Sequence, residues 1–339
     1  MALMLPDNLM KSRMNASFSE LTGPNTITGD KIEISVRGRW QAVPAFPALN
    51  QTVIVTGERI KIARVHDEEW IEDEVLDPEA YIRVIQSNSH IARADIFSFS
   101  QKIPCTTPRY AYPMELESAA VARVGNFNEW WEALPQVSRK NVRRAKKRGV
   151  IIRRERFTDE LIRGIAEIQN ERPIRQGRHY PHYGKSFEQV KRDHSSFLDR
   201  CDFVAAHFED KIIGFLKVVY RGKVASILQL NSMVAHFDKR PSNALLAEAV
   251  ELCSTHGIEY LTYARFNYGN KGDDTLREFK IRNGFEEMLV PRYYVPLTPW
   301  GNLSVRYKFY RGPLGLLPGC VIRAVVGTRM KWYDLLGRA

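Results

Sequence analysis

Hydrophobic and polar residues alternate along the first third of the chain, and this alternation predicts strands. Apolar residues recur at every second position over 32–36, 52–55 and 60–65, with glycines and prolines between the runs (Gly38, Pro44, Pro47 and Gly57). A period of two places one face of a strand on a core and the other toward solvent. These runs predict antiparallel sheet. A helix over 78–86 and strands over 95–99 and 116–124 complete a small α+β unit.

From residue 127 onward, helical and strand patterns take turns. The periodicity predicts helices over 127–147, 159–170, 187–198 and 242–256, and strands over 203–208, 211–220, 225–230 and 259–263. This order favours an α+β protein with a mixed sheet and flanking helices. We therefore divide the chain into a loosely ordered start (1–29), a strand-rich part (30–125), a main domain (126–300) and a basic amphipathic tail (301–339).

The segment 273–285 is the most informative part of the sequence. Leu276 and Phe279 are one helical step apart, Gly284 follows where a left-handed C-cap is needed, and Phe285 opens an apolar strand. The segment therefore predicts a loop, a short helix and a strand.

This segment resembles the last conserved block of the GNAT superfamily of N-acyltransferases. Asp273, Leu276, Phe279 and the pair Gly284-Phe285 match that block in spacing. Many GNAT acetyltransferases have tyrosine after the residue that matches Phe279, whereas this chain has Lys280, as the Fem-type peptidoglycan aminoacyltransferases do. The resemblance covers residues 127–297, and tandem Fem-type architecture would make residues 30–125 a degenerate first GNAT half.

A second block resembles the donor-binding helix start of GNAT enzymes, whose backbone amides bind the pyrophosphate of coenzyme A. Pro241 suits a first helical turn, and an apolar stripe follows it. Lys239 and Ala244 keep the outer positions of the GNAT pattern, but Ser242 stands where glycine is usual. The candidate donor-binding residues are Lys239, Arg240, Ser242, Asn243 and, further along, Asn270. The alternative is a basic surface turn capped by serine.

The resemblance also suggests catalytic residues. Lys280 would stabilise the negative charge that develops on the acyl carbonyl oxygen, because a cation acts strongly in a cleft with little water. Tyr268 is a candidate from its position instead, because it lies just after the C-terminal end of the predicted strand 259–263, where it would hydrogen-bond the acyl donor. Asp273 either caps the short helix or accepts a proton from the attacking ammonium group.

A loop rich in donors and aromatic rings joins two predicted helices over 172–185. In GNAT folds this region forms part of the acceptor wall, which implies acceptor contacts from Arg175, Arg178, His179, Tyr183 and Lys185. The alternative is an ordered surface loop whose rings pack on the domain. His179 and His182 have no acidic or cysteine neighbour in sequence, so we expect no metal.

Composition limits the partners without choosing among them. The 339 residues include 50 Lys and Arg against 39 Asp and Glu, a net charge of +11, which favours an anionic partner. Seven basic residues cluster on one predicted helix over 138–148. The four cysteines form no Cys-x-x-Cys pair, and we recognise neither a signal peptide nor a membrane span, so we expect a cytoplasmic protein. Its C-terminal helix either lies on an anionic membrane or packs on the core.

These features predict an N-acyltransferase with no bound cofactor. It would move an acyl or aminoacyl group from acyl-CoA or aminoacyl-tRNA to an amine, such as that of a cell-envelope or sugar precursor. The alternative is a catalytically inactive GNAT-like module that binds RNA or an anionic membrane surface.

Overall fold

The computed structural model describes residues 30–36, 39–67, 71–175, 178–267 and 275–312. The strands are β1 Lys31–Val36, β2 Arg39–Ala48, β3 Gln51–Thr56, β4 Ile62–Val65, β5 Ile96–Ser100, β6 Met114–Arg123, β7 Ile151–Glu155, β8 Ile174–Arg175, β9 Arg178–His179, β10 Cys201–Phe208, β11 Lys211–Arg221, β12 Val224–Ser232, β13 Tyr260–Arg265 and β14 Glu286–Pro296. The helices are α1 Pro78–Ser87, α2 Phe127–Ala133, α3 Gln136–Lys147, α4 Asp159–Asn170, α5 Phe187–His194, α6 Pro241–Thr255, α7 Thr275–Arg282 and α8 Pro299–Arg306.

One 12-stranded sheet runs through both halves of the molecule in the order β1-β2-β3-β4-β5-β14-β6-β13-β12-β11-β10-β7. Starting from either edge of the sheet, neighbouring strands pair in antiparallel fashion until a parallel pair is reached. This parallel pair is β4–β5 in the first half and β12–β13 in the second. A helix connects the two strands of each parallel pair, α1 in the first half and α6 in the second. The two halves therefore repeat the same strand order.

The halves exchange their last strands. Strand β6 ends the first half in sequence but pairs with β13 of the second half, while β14 ends the second half and pairs with β5 of the first. The two exchanged strands also pair with each other at the centre of the sheet. The predicted α+β fold with a mixed sheet is confirmed, and the parts 30–125 and 126–300 share this sheet.

Helices cover both faces of the second half of the sheet. Helix α6 buries Leu245, Leu246 and Val250 against β10–β12, and α3 packs beside it. On the other face α4 buries Ile162 and Ile165 against Phe203 and Phe215 of β10 and β11. Apolar side chains at helical spacing form both contacts, as the periodicity predicts.

Several boundaries differ from the prediction. The helix predicted over 127–147 is divided into α2 and α3, since Pro135 has an extended ψ of 142° and stands between them. Strands β2 and β7 and helix α8 were not predicted. The predicted tail beyond Gly312 and the start before Asp30 lie outside the described residues. Among the residues that the structure describes, no helix is long and apolar enough to cross a membrane.

Gly284 ends α7 with a φ of 81°, which confirms the predicted C-cap. The amide of Phe285 donates to the carbonyl of Lys280 at 3.0 Å across this turn. A Cβ at Gly284 would lie 2.9 Å from Nε1 of Trp130. Glycine is needed here for both its backbone angle and its size.

Replacing Gly284 by alanine is therefore expected to lower the free energy of unfolding by about 2 kcal/mol, from the left-handed conformation and from repacking around Trp130. Urea denaturation would measure the loss. Gly125→Ala is the matched control, because a Cβ there meets nothing within 4 Å. Equal stability of the two variants would contradict the strain argument.

Candidate active site

Strands β12 and β13 form a parallel pair that opens after three residues. Val224 to Ser226 pair with Tyr260 to Thr262, and the pairing stops there. The hydroxyl groups of Ser226 and Thr262 lie 2.5 Å apart at the point where the strands separate. Beyond it β13 turns away, with Ala264 at a φ of 50° and a shift in its register with β6. The strands thus leave a gap in which a ligand can meet main-chain groups of β12.

Helix α6 begins just beyond the open end of β12, after a 3-10 turn over Val234–Lys239. Its first turn contains Pro241 but no acidic residue, and no side chain caps its amides. Arg240 precedes it at a φ of 59° and is exposed. The amides of Arg240 and Asn243 donate to the carbonyls of Phe237 and Arg240 at 3.1 and 3.2 Å, so it is mainly the positive end of the helix dipole that favours a phosphate at this terminus.

The other candidate donor-binding residues have different positions around this terminus. Lys239 lies with its ammonium 4.6 Å from the centre of the Phe208 ring and 3.6 Å from a carboxylate oxygen of Asp238. Ser242 shares a hydrogen bond of 2.9 Å with Ser232. Asn243 is buried, and its side-chain amide donates to Oδ1 of Asn283 at 3.0 Å. Lys239, Arg240 and Ser242 therefore surround the helix start, whereas Asn243 joins α6 to the end of α7.

The equivalent helix of the first half has the opposite character. The carboxylate of Asp77 accepts the amide of Ala80 at 3.0 Å at the start of α1, and Glu79 lies in its first turn. A carboxylate cap occupies the amide and repels a second anion. Of the helices α1 and α6, which connect the strands of the two parallel pairs described above, α6 therefore has the start better suited to phosphate.

Lys280 lies on α7 and is fully buried. Its ammonium donates to the carbonyl of Arg265 at 2.6 Å and lies 4.7 Å from the centre of the Tyr263 ring. Both contacts are with β13, the strand that turns away to form the gap. The candidates Tyr268, Asn270 and Asp273 lie outside the described residues.

A cavity of about 450 Å³ lies between the two halves on the side of the sheet that α4 and α5 cover. The first half contributes Trp40, Arg64 and His66 to its lining. The second half contributes His182, Asp193, Gln229 and, from β14, Arg292. Because Gln229 lies on β12 beyond Ser226, the cavity borders the gap between the parallel strands. This size and polarity suit a small ligand.

Asp193 holds one wall of this cavity together. Its carboxylate accepts Nζ of Lys185 and, at 2.8 Å, Nε1 of Trp40, and Nδ1 of His182 lies 3.7 Å away. Burial alone would raise the pKa of Asp193. Hydrogen bonds from His182, Lys185 and Trp40 outweigh this effect, so the pKa lies below its ordinary value, at about 2. The predicted acceptor loop thus reaches the cavity through His182 and, behind it, Lys185.

The other predicted acceptor residues are placed differently. Arg175 donates to the carbonyl of Ser232 at 3.2 Å and pairs with Glu171 at 3.3 Å, so it connects the loop to the end of β12. His179 and Tyr183 are exposed. The backbone of Arg178 pairs with Arg175, and its side chain lies outside the described part.

Trp40, Arg64, Asp193, Gln229 and Arg292 were not among the predicted site residues. Arg64 and Arg292 carry a signal in the sequence, since each is a charged residue within an apolar strand. A buried position such as that of Arg292 is unusual for a charge unless it meets a partner or a ligand, whereas Arg64 is exposed. Trp40, Asp193 and Gln229 carry no such signal.

A basic surface lies next to the α6 terminus. Lys140, Arg144 and Lys147 on α3 are exposed and form no ion pair with any residue that the structure describes. Arg148, at the end of α3, pairs with Asp238 at 2.6 Å, and Ser138 donates to the carbonyl of Arg282 at the end of α7. The basic face of α3 is therefore anchored beside the candidate phosphate site.

The fold is similar to several solved structures. The structure named FemX matches with a TM-score of 0.56 at 11% identity, over 81% of this chain and 90% of that one. The L-PGS from Bacillus licheniformis matches with a TM-score of 0.51 at 13% identity, over 78% and 88%. The C-terminal domain of a putative lysylphosphatidylglycerol synthetase from Agrobacterium fabrum matches with a TM-score of 0.50 at 14% identity, over 84% and 89%. No family model and no curated protein matches the sequence.

Proposed function

We propose, from the GNAT-like Fem-type fold of this chain, that it transfers an acyl or aminoacyl group from an activated donor to an amine. The observation that carries the proposal is the parallel pair β12–β13, which opens after Ser226 and Thr262 beside an uncapped helix terminus. In this arrangement the donor lies along β12 with its phosphates at α6. The amine acceptor occupies the cavity between the halves.

The reaction in this arrangement is a direct transfer. The amine nitrogen attacks the acyl carbonyl carbon, a tetrahedral oxyanion forms, and its collapse breaks the bond to the leaving oxygen or sulfur, which takes up a proton. Holding both reactants at one gap supplies proximity. We assign stabilisation of the oxyanion to Lys280 and main-chain amides, donor binding to Tyr268 and Asn270, and the proton from the amine to Asp273.

The donor is acyl-CoA or aminoacyl-tRNA, and the basic face of α3 favours the tRNA. Coenzyme A needs a site for a few phosphates, which the α6 terminus supplies. Lys140, Arg144 and Lys147 add positive charge along α3, whose end is bound beside that terminus through Arg148 and Asp238. An extended row of cations suits a polynucleotide backbone, whose binding releases counterions.

Two variants separate the donors. Reversing the charges of Lys140, Arg144 and Lys147 to glutamate is expected to weaken the binding of aminoacyl-tRNA about tenfold or more and to reduce its dependence on salt. The same change should leave the binding of coenzyme A unaltered. Arg240→Glu at the α6 terminus should weaken whichever donor binds. Calorimetry at two salt concentrations measures both effects.

Arg83→Glu, on an exposed position of α1 in the other half, is the control for a general change in charge. Donor binding that survives Arg240→Glu unchanged would place the donor elsewhere and reject the proposed site. Tight binding of tRNA without transfer to any amine would favour the alternative, an inactive module that binds RNA. Binding only to anionic vesicles would favour the membrane form of that alternative.

A further inference from the structure

Helix α8 turns its large apolar side chains toward solvent. Trp300, Leu303 and Tyr307 are 43%, 41% and 52% exposed, and their spacing of three and four residues places them on one side of the helix and its C-cap. The side that packs on the sheet carries small residues instead. Gly301 is buried, and a Cβ there would overlap the carbonyl oxygen of Asp95. An amphipathic helix normally buries its apolar stripe, whereas α8 exposes it.

The exposed rings are held in place by their neighbours. Nε1 of Trp300 donates to the carbonyl of Arg59 at 3.1 Å. The ring of Phe309, in the 3-10 turn after α8, lies 6.2 Å from the ring of Trp300 and 5.7 Å from that of Tyr307. Tryptophan and tyrosine combine an apolar ring with one polar atom, which suits a boundary between water and hydrocarbon.

Helix α8 and the turn after it are basic. They contain Arg306, Lys308 and Arg311 but no acidic residue. Lys308 and Arg311 share the carboxylate of Glu115. Arg306 is exposed, and its guanidinium carbon lies 5.7 Å from the centre of the Tyr307 ring. It forms no ion pair with any residue that the structure describes.

The loop before β4 brings further charge to the side of α8. Arg59 and Lys61 are exposed and form no ion pair within the described ranges, while Glu58 is exposed in the same loop. The carboxylate of Asp95 accepts the backbone amide of Lys61 at 2.9 Å. Along these segments the cations outnumber the carboxylates. We call the exposed region the α8 surface, which consists of Trp300, Leu303, Tyr307, Arg59, Lys61 and Arg306.

The α8 surface lies at the end of the sheet toward which the gap opens. Helix α8 begins at Pro299, shortly after β14 ends at Pro296. Strands β13 and β14 are both antiparallel to β6, so their carboxyl ends lie at the same end of the sheet. The gap between β12 and β13 opens toward that end because the two strands separate after Ser226 and Thr262.

We propose that the α8 surface binds a bilayer that contains anionic lipids. Its apolar side chains enter the boundary between headgroups and acyl chains, and its cations contact the lipid phosphates. A second copy of this chain would bring the same cations face to face, and like charges repel. Charge complementarity therefore favours the lipid surface. This binding does not depend on the proposed transfer reaction.

Cosedimentation of the full chain with lipid vesicles tests the proposal. We expect saturable binding to vesicles made of equal parts phosphatidylglycerol and phosphatidylcholine, and much weaker binding to phosphatidylcholine alone. High salt should weaken binding to the anionic vesicles, because it screens exposed charges.

Removal of the apolar contacts should release the protein from the anionic vesicles. Leu303→Ser/Tyr307→Ser is expected to weaken binding about tenfold or more, because less apolar area is withdrawn from water. Both residues are exposed, so the midpoint of urea denaturation should stay the same. Leu49→Ser/Leu76→Ser is the matched control. These leucines are 60% and 70% exposed outside the α8 surface, and their replacement should leave vesicle binding unchanged.

Two further measurements assign the charge and the ring. Arg59→Gln/Arg306→Gln should reduce binding to the anionic vesicles toward the level of phosphatidylcholine, whereas Arg83→Gln/Lys211→Gln, at exposed positions elsewhere, should not. Lipids with brominated acyl chains quench tryptophans that reach the bilayer. We expect quenching of the bound protein, and we expect Trp300→Phe to reduce it.

Four results would overturn the proposal: no binding to anionic vesicles, equal binding to phosphatidylcholine, unchanged binding of folded Leu303→Ser/Tyr307→Ser, or quenching that Trp300→Phe leaves unaltered. The last two would place the contact elsewhere, such as in the predicted tail beyond Gly312. A dimer that forms in place of vesicle binding and is lost in Leu303→Ser/Tyr307→Ser would assign the surface to a second copy.

The donor experiment is separate from this one. Donor binding without vesicle binding would reject only the α8 surface. Vesicle binding without donor binding would support the surface and reject the proposed transfer.

Discussion

Replacement of Lys280 by methionine is expected to lower the rate of transfer by about 10²–10³-fold, the loss seen when one donor to a developing oxyanion is removed. Methionine fills a similar volume but carries no charge. In the structure the lysine ammonium lies at the end of β13, bound to the carbonyl of Arg265 at 2.6 Å. The rate should fall while donor affinity, measured by calorimetry, stays within about twofold of the starting protein.

Two further variants distinguish chemistry from packing. Lys280→Arg keeps the charge and should retain part of the rate, while Lys211→Met removes an exposed lysine and should have no effect. A purely structural role would instead appear as a lower free energy of unfolding, of about 1–3 kcal/mol for the unsatisfied Arg265 carbonyl. Full activity of Lys280→Met in a folded protein would reject the proposed catalytic role.

Replacement of Asp193 by asparagine is expected to lower the free energy of unfolding by about 3 kcal/mol, because it leaves the Lys185 ammonium without its counter-charge. The two side chains are 7% and 10% exposed, so water screens them little. Trp40 of the first half would also lose a charged acceptor at 2.8 Å. Urea denaturation measures the change.

The pH dependence of stability provides a second measurement. The pKa of Asp193 is about 2 in the folded chain, below its ordinary 3.8, so the stability that its ionised carboxylate contributes is present above pH ~4. This contribution to the free energy of unfolding, about 2 kcal/mol, is lost as the pH falls toward ~2. Asp193→Asn should lose this part of the acid dependence, and Asp193→Asn/Lys185→Met should recover stability. An unchanged acid dependence in Asp193→Asn would contradict the assignment.

Much of the second half could be predicted from local patterns. Residues 159–170 form α4 as predicted, and Gly284 ends α7 because its position after the last apolar step requires a left-handed residue. Strand β2 was hidden by Pro44 and Pro47, which normally interrupt strands. They are tolerated because β2 pairs with β1 through Pro44 and with β3 from Ala45 onward, so each segment has one open edge.

The candidate site also has one part that the sequence could predict and one part that it could not. The donor side comes from residues that are consecutive in sequence, Lys239 to Ser242, so a local motif could indicate it. The cavity draws on strands from both halves and on a strand exchange that no local period encodes. Arg64, Gln229 and Arg292 line one cavity only when the whole sheet is assembled.

The exchanged strands have a consequence for how the chain is made. A growing polypeptide emerges from the ribosome with its amino terminus first, and domains usually fold in that order. Here Ile96 of β5 pairs with Pro296 of β14, so the early strands wait for one of the last segments to be synthesised. Until then β5 presents an open edge that can pair with the wrong strand. We therefore expect this protein, when its synthesis is halted before β14, to aggregate rather than to yield a folded first half.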